Sequence, residues 1–241
     1  MLKDKRALVT GSTSGIGLAV ARALAAEGAA VILNGLGESD AISALCDELG
    51  ATYNGANLMD AAAIAAMMEE VGPIDILVNN AGMQFRTPLE DFPHDKWREI
   101  MRVNVESTFL VGQAVARHMI SRKNGKIINI GSVQSELGRP GIAPYTASKG
   151  AVKMLTKGMC ADWAKHGLQV NAIAPGYFKT ELNKALVENA EFSAWLEKRT
   201  PAGRWGDVGE LIGAAIFLSS SASSFINGHI LYVDGGITLV L

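Results

Sequence analysis

The sequence predicts a single-domain α/β protein over residues 1–241, a doubly wound Rossmann-type fold with a seven-stranded parallel sheet and helices on both faces. Three observations predict it. Short runs that are apolar throughout recur along the chain, and strands of that kind are buried on both faces, as in parallel sheets. Longer Ala-rich stretches of helical period separate them. A glycine-rich turn, TGSTSGIG, joins the first apolar run to the first helical stretch. Hydrophobic residues make up 49% of the chain and charged residues 19%, enough core material to argue against disorder.

Taken in order, RALVTG reads as the first strand and residues 15–27 as a helix ending at Gly28. AAVILNG is the second strand, followed by a helix over 39–49; ATYNGAN is the third, followed by a helix over 60–70. IDILVNNAG is the fourth strand, and a long helix is expected from Asp95 to Ser121. GKIINIGS is the fifth strand, with a helix over 145–166, and LQVNAIAPG the sixth. Helices are expected over 181–198 and 207–219, and GHILYVDGG closes the chain as the seventh strand. The segment 181–198 carries Leu182, Leu186, Phe192, Trp195 and Leu196 on an apolar stripe, which reads as packing for a helical lid over about 180–200.

Several function classes are disfavoured. A formal charge of −2 gives no reason to expect nucleic acid or an anionic membrane as partner. No apolar run reaches the roughly 20 residues of a membrane span, and MLKDKRALVTG leads into a strand with no signal peptide expected. Cys46 and Cys160 lie in no metal-type spacing and read as buried free thiols of a cytoplasmic protein. His94, His118, His166 and His229 form no ligand set, so no catalytic metal is expected.

The turn TGSTSGIG offers Gly11, Gly15 and Gly17, with Ser12, Thr13, Ser14 and Ile16 between them. Glycines there permit a tight turn and close approach of a pyrophosphate to the free N–H groups of a helix start. Asn34 ends the second strand as an acceptor for a ribose hydroxyl. No Lys or Arg occurs between Arg22 and Arg86, whereas that interval holds nine carboxylates. A 2′-phosphate asks for a cation, so NAD is expected over NADP, with NADP possible.

The stretch YTASK sets Tyr145 and Lys149 one helical turn apart, roughly 5–6 Å at Cβ. A cation beside a phenol lowers its pKa and makes it a usable acid/base, although spacing alone also fits a surface Tyr beside a solvated Lys. TGSTSGIG, NNAG at 79–82, Asn104 in RVNVES, Ser132 in NIGSVQ, YTASK and APGYFKT at 174–180 occur in that order. Together they resemble the short-chain dehydrogenase/reductase family over essentially the whole chain. That resemblance implies roles for named residues. Tyr145 would be the general acid/base, Ser132 would hydrogen-bond the substrate oxygen, and Lys149 would hold the cofactor ribose and lower the Tyr145 pKa. Asn104 would shape the helix for a proton-relay water. Asn57, Leu58, Asn80, Ala81 and Gly82, with Pro175, Gly176, Phe178 and Thr180, would touch the dinucleotide. A homotetramer is also implied, and the apolar tail GGITLVL fits an interface.

The stretches SVQSELGRPGIAPYTASKGAVKMLTKGM and WLEKRTPAGRWGD are similar to members of that family acting on sugar acids. The implied reaction is reversible oxidation of D-gluconate at C5. Oxidation of 2-deoxy-D-gluconate at C3, oxidation of 3-hydroxybutyrate, and a non-catalytic cofactor sensor are the alternatives. A sugar acid needs a cation for its carboxylate. Arg86 is the first candidate, followed by Arg139 and Lys179, with Gln134 and Glu136 for the hydroxyls.

Overall fold

The computed structural model describes residues 1–240. The strands are β1 (Arg6–Val9), β2 (Ala30–Asn34), β3 (Thr52–Asn54), β4 (Ile76–Asn79), β5 (Gly125–Ile130), β6 (Leu168–Pro175) and β7 (Ile230–Val233). They form one seven-stranded sheet in the order β3-β2-β1-β4-β5-β6-β7, with every neighbouring pair parallel. The order reverses between β1 and β4, and the crevice at such a switch point is where ligands of doubly wound sheets bind.

The helices are α1 (Gly15–Ala26), α2 (Ser39–Leu49), α3 (Ala61–Val71), α4 (His94–Met101), α5 (Ser107–Arg122), α6 (Ala143–Trp163), α7 (Lys184–Val187), α8 (Ala190–Arg199) and α9 (Ile212–Ser219). The strands are apolar on both faces because each face meets a helix layer. Ala7, Val9, Ile76, Val78, Ile128 and Ile130 point into a cluster with Val20 and Leu24 of α1 and Ala215 and Leu218 of α9. Leu8, Leu77 and Ile127 point the other way, against Ile64 and Met67 of α3, Val111, Val115 and Met119 of α5, and Met159 of α6. Each such side chain contributes about 1.5–3 kcal/mol by leaving water. The sheet is therefore a rigid platform for the loops at its carboxyl ends.

Three expectations change in detail. The long helix expected from Asp95 to Ser121 is interrupted by a π turn over Arg102–Glu106, between α4 and α5. The helix expected over 181–198 is a 3-10 turn (Glu181–Asn183), α7 and α8, the last capped by Asn189 Oδ1 accepting from Phe192 N–H at 2.9 Å. On its stripe, Leu186, Phe192 and Leu196 pack around Trp205, whereas Leu182 and Trp195 are exposed. The thiols of Cys46 and Cys160 are unpaired but only half-buried, each at the edge of a core cluster. No helix among the described residues is long and apolar enough to cross a membrane.

Candidate active site

A cavity of about 440 Å³ opens at the carboxyl ends of the central strands. One end is built from the loops after β1 and β4. Asn80 Nδ2 donates to the carbonyls of Thr10 at 3.0 Å and Gly11 at 2.9 Å, and Thr10 Oγ1 accepts from Asn80 N–H at 3.0 Å. The two backbones are so close that glycine is required. Gly11 has φ +60°, and a Cβ there would lie 2.8 Å from Ala81 Cα. A Cβ on Gly17 would overlap the Gly11 carbonyl oxygen and the Asn80 amide. Ser14 opens α1 with no side-chain cap, leaving first-turn N–H groups available to an anion. Gly11, Thr13, Ser14, Gly15, Ile16, Asn80, Ala81 and Gly82 line this end, a cradle that fits a dinucleotide pyrophosphate.

Four expected cofactor contacts lie elsewhere. Ser12 is fully buried, and its Oγ accepts from Asn34 N–H at 3.0 Å, tying the loop to β2. Asn34 turns inward: its Nδ2 donates to the carbonyls of Asn54 at 3.0 Å and Ala56 at 3.1 Å, so it holds β2 to the loop after β3, and its Oδ1 is buried. Leu58 is in the core, and exposed Asn57 caps its own turn, accepting from Met59 N–H at 3.0 Å. Gly35 and Leu36 line the cavity where Asn34 was expected, with no cation beside them among the lining residues.

The catalytic end gathers Ser132, Tyr145 and Lys149 on one wall. Ser132 follows β5, and its Oγ accepts from Gln134 N–H at 3.1 Å, which leaves the hydroxyl proton free to point into the cavity. Lys149 is buried, and its Nζ donates to the Ile130 carbonyl at 2.7 Å. Burial lowers its pKa from 10.5 to about 8. The ammonium sits 5.7 Å from the centre of the Tyr145 ring. The Tyr145 phenol is pushed up, first by burial, while the Ser132 hydroxyl pulls it back, Tyr177 adds to the rise, and the Arg86 cation opposes it. Arg86 is thus one cation that favours the phenolate, while the Lys149 ammonium beside the ring donates to the Ile130 carbonyl.

Asn104 sits on the π turn, buried, with Oδ1 accepting from Met83 N–H at 2.8 Å. Its Nδ2 donates to the Met83 carbonyl at 3.0 Å and to Ser148 Oγ at 2.9 Å. It thus staples the loop after β4 to α6 beside Lys149. Gly82 fills the gap: a Cβ there would stand 3.5 Å from Asn104 Oδ1 and 3.7 Å from Lys149 Nζ.

At the remaining end, Arg86, Gln134, Arg139 and Tyr177 line the cavity, with Pro175, Gly176, Phe178 and Thr180 along the floor. With its amide oxygen turned to Arg86, Gln84 accepts from the guanidinium Nε at 2.6 Å. Glu136 lies outside the lining, where it pairs with Lys153 and accepts from Tyr232 Oη at 2.9 Å. Lys179 faces Asp207 at 3.8 Å, outside the lining. Sequence reasoning passed over Tyr177 and Gln84; the signal for Tyr177 was its place between Gly176 and Phe178, both expected at the site.

A family model described as Enoyl-(Acyl carrier protein) reductase matches residues 11–238. The gluconate 5-dehydrogenase of Gluconobacter oxydans (strain 621H) is 58% identical, the match covering 100% of this chain and 97% of that one. The chain belongs to the short-chain dehydrogenase/reductase family. The 5-keto-D-gluconate 5-reductase of Escherichia coli (strain K12) is 53% identical over 100% of this chain and 98% of its own. Among solved members, a gluconate 5-dehydrogenase from Burkholderia cenocepacia J2315, in complex with NADP and tartrate, superposes with a TM-score of 0.93. It is 57% identical, covering 100% of this chain and 97% of that one. As a short-chain dehydrogenase/reductase this chain is an oxidoreductase that uses a nicotinamide cofactor and acts on a hydroxyl carbon.

Proposed function

We propose that this enzyme interconverts D-gluconate and 5-keto-D-gluconate. The observation that carries the reading is the convergence of Tyr145, Ser132 and Arg86 on one cavity beside the uncapped start of α1. They supply an acid/base, a donor to a developing oxyanion and a cation for a carboxylate. The relatives named for gluconate and 5-keto-D-gluconate support the substrate. The intact Tyr145, Ser132 and Lys149 weigh against a non-catalytic sensor.

In the oxidative direction Tyr145 Oη takes the proton of the C5 hydroxyl, while Ser132 Oγ donates to the same oxygen. Lys149, anchored by one of its three N–H bonds to Ile130, keeps two for ribose hydroxyls. Asn104 acts on Lys149 through its staple of Met83 and Ser148. When bound, the nicotinamide supplies the hydride acceptor or donor. Arg86, held by Gln84, takes the carboxylate, and Gln134 and Tyr177 meet hydroxyls. The segment of about 180–200 acts as a lid within one domain.

NADP is favoured as the dinucleotide, because the B. cenocepacia relative was solved with it. The absence of a cation beside Gly35 and Leu36 narrows the margin, so that NAD also serves. A kcat/KM ratio of NADP over NAD between one and about ten is expected, since a charged hydrogen bond to the extra phosphate is missing. A homotetramer is proposed from the exposed apolar side chains Phe109 on α5, Met154 on α6, and Phe225 and Leu239 near the chain's end; light scattering tests it. A cytoplasmic location accords with the two unpaired cysteines.

The decisive experiment follows nicotinamide absorbance with gluconate, 5-keto-D-gluconate, 2-deoxy-D-gluconate and 3-hydroxybutyrate against both dinucleotides. The reading requires turnover of the first two to exceed the others by at least tenfold.

A further inference from the structure

The cavity holds a second cation for which proton and hydride transfer have no use. Arg139 stands in the loop between β5 and α6 and lines the cavity with Arg86. Its guanidinium carbon lies 5.2 Å from the ring centre of Phe192 and 6.0 Å from that of Tyr177. Those rings belong to one aromatic cluster, with Tyr177 and Phe192 5.7 Å apart and Trp205 5.9 Å from Tyr177. The rings hold the guanidinium by its face and orient the fork of N–H groups.

Nothing neutralises this charge. No carboxylate of the described residues pairs with Arg86 or Arg139, and the Arg139 Nε is buried without an acceptor. The only carboxylate among the described lining residues is that of Glu181, which is exposed. Arg86 and Arg139 repel each other: burial lowers the Arg86 pKa, and the Arg139 charge lowers it further. Two cations set side by side in a partly desolvated pocket cost stability until an anion joins them.

We propose that Arg139 is a specificity-determining residue. With Arg86 it forms a two-guanidinium receptor for the substrate carboxylate, and through Phe192 it ties that carboxylate to α8. This inference rests on the sugar-acid reading above. It explains what excludes sugars of the same chain length that lack the acid group: without the carboxylate the two cations stay unpaired.

The test compares 5-keto-D-gluconate with L-sorbose, the same carbon skeleton carrying CH2OH in place of the carboxylate, in wild type, Arg139→Met and Arg139→Lys. Arg139→Met should lower kcat/KM for 5-keto-D-gluconate about 10- to 100-fold, mainly through KM, as expected for a lost charged contact. L-Sorbose reduction should stay within threefold of wild type, and Arg139→Lys should recover part of the loss. Calorimetric titration of the dinucleotide-bound protein with tartrate should weaken at least tenfold in Arg139→Met, while dinucleotide binding is unchanged. An equal fall for both sugars would make Arg139 a prop for α8 and overturn the proposal, as would unchanged kinetics and tartrate binding. A wild type that reduces L-sorbose as well as 5-keto-D-gluconate overturns the sugar-acid reading, and this proposal with it.

Discussion

Replacing Lys149 by Met should abolish useful turnover and yet make the protein more stable at neutral pH. The Lys149 pKa falls from 10.5 to about 8 through burial. A gap of about 2.5 units at 1.36 kcal/mol each puts the cost of keeping the ammonium charged at about 3 kcal/mol near pH 7. Methionine fills a similar volume without charge. It also removes the donor to the Ile130 carbonyl, and leaving that carbonyl unpaired costs about 1–2 kcal/mol. The net is about 1–2 kcal/mol in favour of the variant, or roughly 3–6 °C in Tm for a domain of this size. The pH dependence separates this cause from others. Because the folded-state value lies below the unfolded one, the unfolded chain binds the proton more tightly between about pH 8 and 10.5, so wild-type stability rises with pH through that window. Groups remote from Lys149 titrate alike in the two proteins. At pH 9.5 the cost has fallen to about 1 kcal/mol and the advantage of the variant disappears. Thermal unfolding of both proteins without cofactor at pH 7 and pH 9.5 measures this directly. A variant less stable than wild type at both values, or a difference that ignores pH, would refute the account of a buried, uncompensated ammonium.

Tyr145→Phe should keep dinucleotide affinity within twofold by titration and lose about 10²–10⁴ in kcat, because only the proton transfer is removed. Gly17→Ala places a methyl against the Gly11 carbonyl and the Asn80 amide; dinucleotide binding should weaken more than tenfold, with about 1–3 kcal/mol lost from the fold, and a normal Kd would contradict the packing. Since burial raises the Tyr145 pKa, oxidation of gluconate should climb with pH as phenolate forms, while reduction falls. Arg86→Gln should move that limb to still higher pH, as one cation that lowers the phenol is gone; a limb that stays in place would remove Arg86 from the electrostatics of Tyr145.

The parallel sheet was legible in the sequence because burial on both faces forces apolar runs, such as AVIL in β2 and ILV in β4. The glycine turn was legible because a close backbone approach admits no other residue, and Tyr145 and Lys149 because one helical turn brings i and i+4 together. Other features depend on contacts between residues distant in the chain. The π turn at Asn104 is one, since its side chain answers Met83, 21 positions earlier, and Ser148, 44 positions later. Asn34 is another, since its amide nitrogen answers the carbonyls of Asn54 and Ala56, which buries the side chain against the neighbouring strand. The Lys149 ammonium turned to Ile130 and not to the phenol for a similar reason: a buried cation takes the nearest carbonyl. Local periodicity and glycine sterics are properties of short stretches, so the order of letters determined the sheet, the cofactor cradle and the reacting pair. Which charges stay unpaired in the cavity, Arg86 and Arg139 foremost, was decided only when the loops after β4 and β5 and the aromatic rings after β6 met in space.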